Sequence, residues 1–172
     1  MRKIFKNSIR KGLVTRPLKD MHAPLSKEIE MAGKELREQI YKKFGRSLHL
    51  REVDTGSCNA CESEIIAATN PIYDIQRFGV DFVASPRHAD ALLVTGPVSK
   101  NMVFALKKTY AAMPEPKFVI ALGDCACHGG VFKDSYYTVG GVDKVLPVIL
   151  HISGCPPTPS VIIKSLLAFL KE

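Results

Sequence analysis

Two short runs restrict the fold more than any other feature of this chain. Ala91–Thr95 (ALLVT) and Phe118–Leu122 (FVIAL) hold no charged residue and show no polar–apolar alternation. A strand with one face in water alternates, whereas a strand covered on both faces does not. Leu48–Val53, Asp81–Ala84 and Val148–Ile152 are further strand candidates. Between them lie segments with helical spacing. Cys61–Ala68 is ended by Asn70-Pro71, and a helix capped by Ser99 runs to about Met113, stopped by Pro114 and Pro116. A last helix covers Ser160–Leu170, with Pro159 near its start. Continuous apolar strands alternating with helices predict an α/β domain built on an open parallel sheet with helices on both faces.

The first part of the chain has another character. Residues 1–46 carry thirteen Lys/Arg against five Asp/Glu, while residues 47–172 carry eleven against twelve. The net charge of +7 therefore belongs to the amino-terminal segment. Met1 to Pro24 reads as a basic, extended arm broken by Pro17 and Pro24. Ser26–Phe44 reads as one amphipathic helix, with Ile29, Ala32, Leu36, Ile40 and Phe44 near a 3.6 period and Gly45 as its stop. Its apolar face suits packing on its own domain or docking on a partner or membrane surface. The expected organisation is a basic arm and docking helix over 1–46 and an α/β domain over 47–172. No apolar run reaches the ~18 residues of a membrane span, and no secretory h-region follows the basic start. Basic arms suit anionic partners, but no aromatic-interleaved basic patch is present, so nucleic acid is not an expected partner.

The chemistry lies in cysteine. Five cysteines, an odd number, sit in three tight turns: GSCNACE with Cys58 and Cys61, GDCAC with Cys125 and Cys127, and SGCPP with Cys155. Each turn follows a strand candidate, and ligands of open α/β sheets bind beyond the carboxyl ends of strands. Gly56, Gly123 and Gly154 precede the cysteines by one or two positions and allow close backbone approach. A CxxC plus two distant single cysteines suits a [4Fe–4S] cluster. Three other readings fit the same residues: a thioredoxin-type redox pair, zinc on Cys58, Cys61, Cys125 and Cys127, and structural thiols. Cys127, small and apolar, fits the core better than a metal site, and His128 fits a supporting role.

The motifs GSCNACESEI, SPRHADALLVTGPVS, GDCACHGGVF and SGCPPTP, in this order, resemble the B-subunit family of the NADH-quinone oxidoreductases. That family includes the small subunits of membrane-bound group 4 [NiFe] hydrogenases and formate hydrogenlyase. The resemblance runs from about Leu48 to the carboxyl end and implies a flavodoxin-like domain. It implies one [4Fe–4S] cluster held by Cys58, Cys61, Cys125 and Cys155, leaving out Cys127. It further implies an electron-transfer subunit of an oxidoreductase complex, without catalytic activity alone. The implied partners are a large catalytic subunit, a ferredoxin-like cluster subunit and membrane subunits. The implied place is peripheral, on the cytoplasmic side of the cell membrane. In the respiratory complex I branch the first two ligands are adjacent cysteines; CxxC, as here, marks the hydrogenase branch. Glu64 matches a family carboxylate and is a candidate proton relay, whereas Glu62 reads as an ordinary first-turn acid. Arg87 and His88 are expected near the same sheet edge.

Overall fold

The computed structural model describes residues 26–171, so the expected arm of Met1–Pro24 lies outside the described residues. The first helix, α1 (Lys27–Phe44), has the ends that its sequence announces. The Ser26 hydroxyl accepts from the Ile29 amide, and Glu28 and Glu30 occupy the positive end of the helix dipole. Gly45 takes φ 68° and returns its amide to the Tyr41 carbonyl.

Five parallel strands follow: β1 (Leu48–Asp54), β2 (Val80–Phe82), β3 (Ala91–Thr95), and, later in the chain, β5 (Phe118–Leu122) and β7 (Leu150–Ile152). They lie in the order β2-β1-β3-β5-β7. Counted within the sheet this is 2-1-3-4-5, the flavodoxin-like order, with its switch point between β1 and β3. The helices are α2 (Ala60–Ala68), α3 (Met102–Ala111), a single turn α4 (Asp124–His128) and α5 (Pro159–Lys171). The sheet is covered on both sides, as the uninterrupted apolar runs require. Ala91 and Leu93 join Ile120, Ile65 of α2 and Ile163 of α5 on one face. Leu92 and Val94 join Val119, Leu106 of α3 and Ala126 of α4 on the other.

The apolar stripe of α1 packs on its own domain. Leu36 and Ile40 are fully buried in the cluster that holds Leu48, Phe78 and Leu170, alongside α5. Gly33 leaves room for the Phe78 ring, which a side chain there would strike.

Some boundaries differ from expectation. Ser99 does not cap α3. Its amide donates to the Thr55 carbonyl, and it ends a short strand, β4 (Val98–Ser99), paired antiparallel with β6 (Thr138–Gly140). The helix starts further on, after Asn101. These strands of two and three residues are too short to leave a periodic trace in sequence.

Candidate metal centre

The sheet register explains why distant turns meet. Asp54 lies beside Thr95, Thr95 beside Leu122, and Leu122 beside Ile152. Four neighbouring parallel strands thus end level, and the chain leaving each one enters the same space. Ser57, Cys58 and Cys61 after β1, Gly96 after β3, Asp124 and Cys125 after β5, and Gly154 and Cys155 after β7 line one cavity there.

Each turn is shaped by polar groups close to it in sequence. Asp54 accepts at one oxygen from the amides of Gly56 and Ser57, both at 2.7 Å, and so folds the chain back toward the cavity. Asn59 takes φ 68° ahead of α2, so Cys58 precedes the helix and Cys61 falls in its first turn. Asp124 clasps two cysteine turns: its amide donates to the Gly154 carbonyl at 2.9 Å, and its carboxylate accepts from the Gly154 amide at 2.8 Å. Gly123 must be glycine for space as well as conformation. A Cβ there would stand 2.5 Å from the Cys61 sulfur. Beneath the cavity, fully buried Thr55 donates its hydroxyl to the Thr95 carbonyl at 2.7 Å. Sequence reasoning missed Asp124, Thr55 and Gly96. The Thr-Gly-Pro after the apolar run of β3 was the available sign of the Gly96 turn.

Cys61 and Cys125 sit among groups that oppose their ionisation. Burial, then Glu62 and the neighbouring Cys125, Cys58 and Cys155, push the Cys61 thiol up to about 12. Burial, followed by Cys155, Cys58 and Asp124, raises Cys125, while the Val131 backbone works the other way. Neighbouring thiols therefore discourage ionisation of Cys61 and Cys125, and a bound cationic centre would reverse this because coordinated thiols are deprotonated outright. An all-thiol set on glycine-rich turns is the donor chemistry that iron–sulfur clusters take. Among the described residues, no three Cys, His, Asp or Glu side chains close on a common point as a single ion needs.

Cys127 stands apart. It is buried, its sulfur faces the Ala121 carbonyl at 3.6 Å, and it does not line the cavity. Burial pushes its thiol up to about 11. His128 accepts from the Gly130 amide through Nδ1 at 3.3 Å, a turn-shaping contact. Glu64 is half-exposed and lines neither this cavity nor the one beside α2.

Two expectations need correction. The Arg87–His88 turn is not at the cysteine edge. The His88 carbonyl meets His49 Nδ1 at 3.1 Å, and Asp90 accepts from the His49 amide at 2.9 Å. His49 is the second residue of β1, and the turn leads into β3, so it lies at the opposite, amino end of these strands. Glu62 is also no ordinary first-turn acid. Both its oxygens are withdrawn from solvent with no hydrogen-bond partner among the described residues, in the wall of a cavity lined by Arg51, Glu52, Ile65 and Phe82.

Residues 58–169 match the family described as NADH ubiquinone oxidoreductase, 20 Kd subunit. The chain belongs to this family. It is 46% identical over 134 residues to the probable membrane-bound hydrogenase subunit mbhJ of Pyrococcus furiosus, covering 78% of this chain and 80% of that one. It is 51% identical over 113 residues to the B subunit of the NADH-quinone oxidoreductase of Clostridium beijerinckii, covering 65% and 66%. Its backbone matches a chain in the structure of the membrane-bound sulfane sulfur reductase, an archaeal respiratory membrane complex. The TM-score is 0.64 at 31% identity, covering 73% of this chain and 70% of that one. Its relatives are subunits of oxidoreductase complexes, a membrane-bound hydrogenase and an NADH-quinone oxidoreductase among them. No described helix is long and apolar enough to cross a membrane.

Proposed function

We propose that this chain is the electron-transfer small subunit of a membrane-associated, hydrogenase-like oxidoreductase complex of the formate hydrogenlyase or energy-converting hydrogenase kind. It holds one [4Fe–4S] cluster on Cys58, Cys61, Cys125 and Cys155 and passes electrons to or from the catalytic site of a large subunit. The observation that carries this reading is the meeting of these four thiols, from three separate turns, in one cavity beyond level strand ends. Supporting it are the exclusion of Cys127 from that cavity and the close approach of Gly123 to the Cys61 sulfur.

When bound, the cluster supplies a one-electron redox centre. The chain's own groups set its surroundings. The Val131 backbone works against the effect of burial at Cys125, favouring the thiolate. Asp124 ties the Cys125 and Cys155 turns together and fixes their spacing. The large subunit, a ferredoxin-like cluster subunit and membrane subunits complete the assembly on the cytoplasmic side of the membrane.

A second reading is the equivalent subunit of a complex I-type enzyme that passes electrons to quinone, favoured by the identity to the Clostridium protein. The two residues separating Cys58 from Cys61 favour the hydrogenase-like branch. The test is metal content after anaerobic reconstitution. About four Fe per chain with broad brown absorption is expected. Stoichiometric zinc without iron sinks the proposal and restores the zinc-module reading.

A further inference from the structure

The loop that closes over Cys125 carries the most exposed large apolar side chains of the described residues. Val131 is 85% exposed and Tyr136 86%, and Phe132 and Tyr137 are also open to solvent. The antiparallel pair β4–β6 brings this loop against the start of α3. The Lys100 amide donates to the Tyr137 carbonyl at 2.9 Å, and the Asn101 side chain donates to the Tyr137 hydroxyl. One turn further along α3, Phe104 is 70% exposed. Aromatic and aliphatic surface from two segments therefore forms one patch, larger than scattered exposed residues would give.

Its rim is basic. Lys100, Lys107 and Lys108 on the α3 side and Lys133 on the loop are exposed. The Lys108 ammonium lies 5.4 Å from the centre of the Phe104 ring. Asp134 is the acid that this loop places among them. An apolar centre ringed by lysines is complementary to an acidic protein face with its own apolar centre. An anionic bilayer suits it less. Asp134 interrupts the lysines, and residues 47–172 carry a balance of −1 rather than a polybasic field.

We infer that the patch formed by Phe104, Val131, Phe132, Tyr136 and Tyr137, rimmed by Lys100, Lys107, Lys108 and Lys133, is the docking face for an acidic partner protein of the complex. The patch begins beside the Cys125 turn, where a Cβ on Gly130 would stand 2.8 Å from the Cys125 sulfur. Docking there therefore covers the loop that adjoins the Cys125 turn. The inference rests on the chain working within a multi-subunit complex.

The test uses the full chain as purified holoprotein and the complex recovered through a tag on it. Hydroxyl-radical footprinting should label Phe104 and Tyr136 in the isolated chain and fall by about fivefold or more in the complex, as burial in an interface core demands. Carbodiimide cross-linking should then join Lys108 or Lys133 to carboxylates of one partner polypeptide. Reversing both charges (K108E with K133E) should weaken assembly by about tenfold at low salt, with the difference shrinking in high salt. Iron per chain, read in every sample, keeps failure of this face distinct from failure of the cluster assignment. Equal labelling in chain and complex overturns the inference. So does protection that appears only with phosphatidylglycerol vesicles, or assembly of the charge-reversed variant at wild-type strength with full iron.

Discussion

Gly123→Ala separates a conformational cost from a cost to the metal site. Gly123 sits at φ 87°, ψ 157°, a region that is essentially reserved for glycine and costs of order 1–3 kcal/mol for other residues. The added Cβ would also stand 2.5 Å from the Cys61 sulfur and 3.4 Å from the Gly154 carbonyl oxygen. The sulfur sits on a short side chain, so it yields by rotating away from the cavity, and Gly154 belongs to the Cys155 turn. Two of the four proposed ligands are thereby displaced by one methyl group. Chemical unfolding of the cluster-free chain should show a loss of ~1–3 kcal/mol. A thermal midpoint should fall by about 2–4 °C for each kcal/mol in a chain of this size. Iron per chain after anaerobic reconstitution should fall to well under half of wild type. Gly45→Ala is the matched control. Gly45 has φ 68° with nothing among the described residues within 4 Å of the added Cβ, so it should lose about 1–2 kcal/mol and keep all its iron. If Gly123→Ala binds full iron and melts together with Gly45→Ala, the argument from close approach is refuted.

Three further outcomes follow from particular contacts. Cys127→Ser should retain nearly all the iron while Cys125→Ser should not; iron analysis and visible absorption decide it, and equal loss in both would overturn the exclusion of Cys127. Leu36→Ala should destabilise the domain by about 2–5 kcal/mol, because it empties a fully buried site. A change below about 0.5 kcal/mol by urea titration, the size of an ordinary surface substitution, would mean that α1 is not part of the core. Glu52 is held above its ordinary value of 4.5, first by burial, against the opposing hydrogen bond from Thr95. The folded state thus holds its proton at pH values where the unfolded state has released it. The stability this supplies is complete below 4.5 and is lost as pH rises through the folded value. Glu52→Gln should remove that slope, and an unchanged slope in urea midpoints measured from about pH 4.5 to 7 would show that Glu52 is not its source.

Much of this protein was legible because its signals are local. Ala91–Thr95 and Phe118–Leu122 are strands at both expected boundaries, since a run apolar on both faces has few other structures to enter. Ser26 and Gly45 mark the ends of α1 because capping satisfies backbone groups within a few residues. The β4–β6 pair and the single turn α4 were not legible. Each is too short to be periodic and is held by partners far away in sequence, as when the Ser99 amide bonds to the Thr55 carbonyl.

The sequence by itself determined the thiol chemistry: which turns carry cysteine, that glycine stands beside each, and that strands precede them. It could not determine that β3 inserts between β1 and β5, because strand order is a matter of non-local packing. That insertion levels Asp54, Thr95, Leu122 and Ile152, brings Gly96 into the cavity wall, and turns three separate motifs into one site. Cys127, already expected in the core from its size and apolar character, took its particular place against the Ala121 carbonyl from the tertiary structure. The sidedness of the one-turn helix that carries both Cys125 and Cys127 depends on what packs against it. For the same reason Arg87 and His88, which stand between the cysteine motifs in chain order, lie in the turn at the other end of the strands.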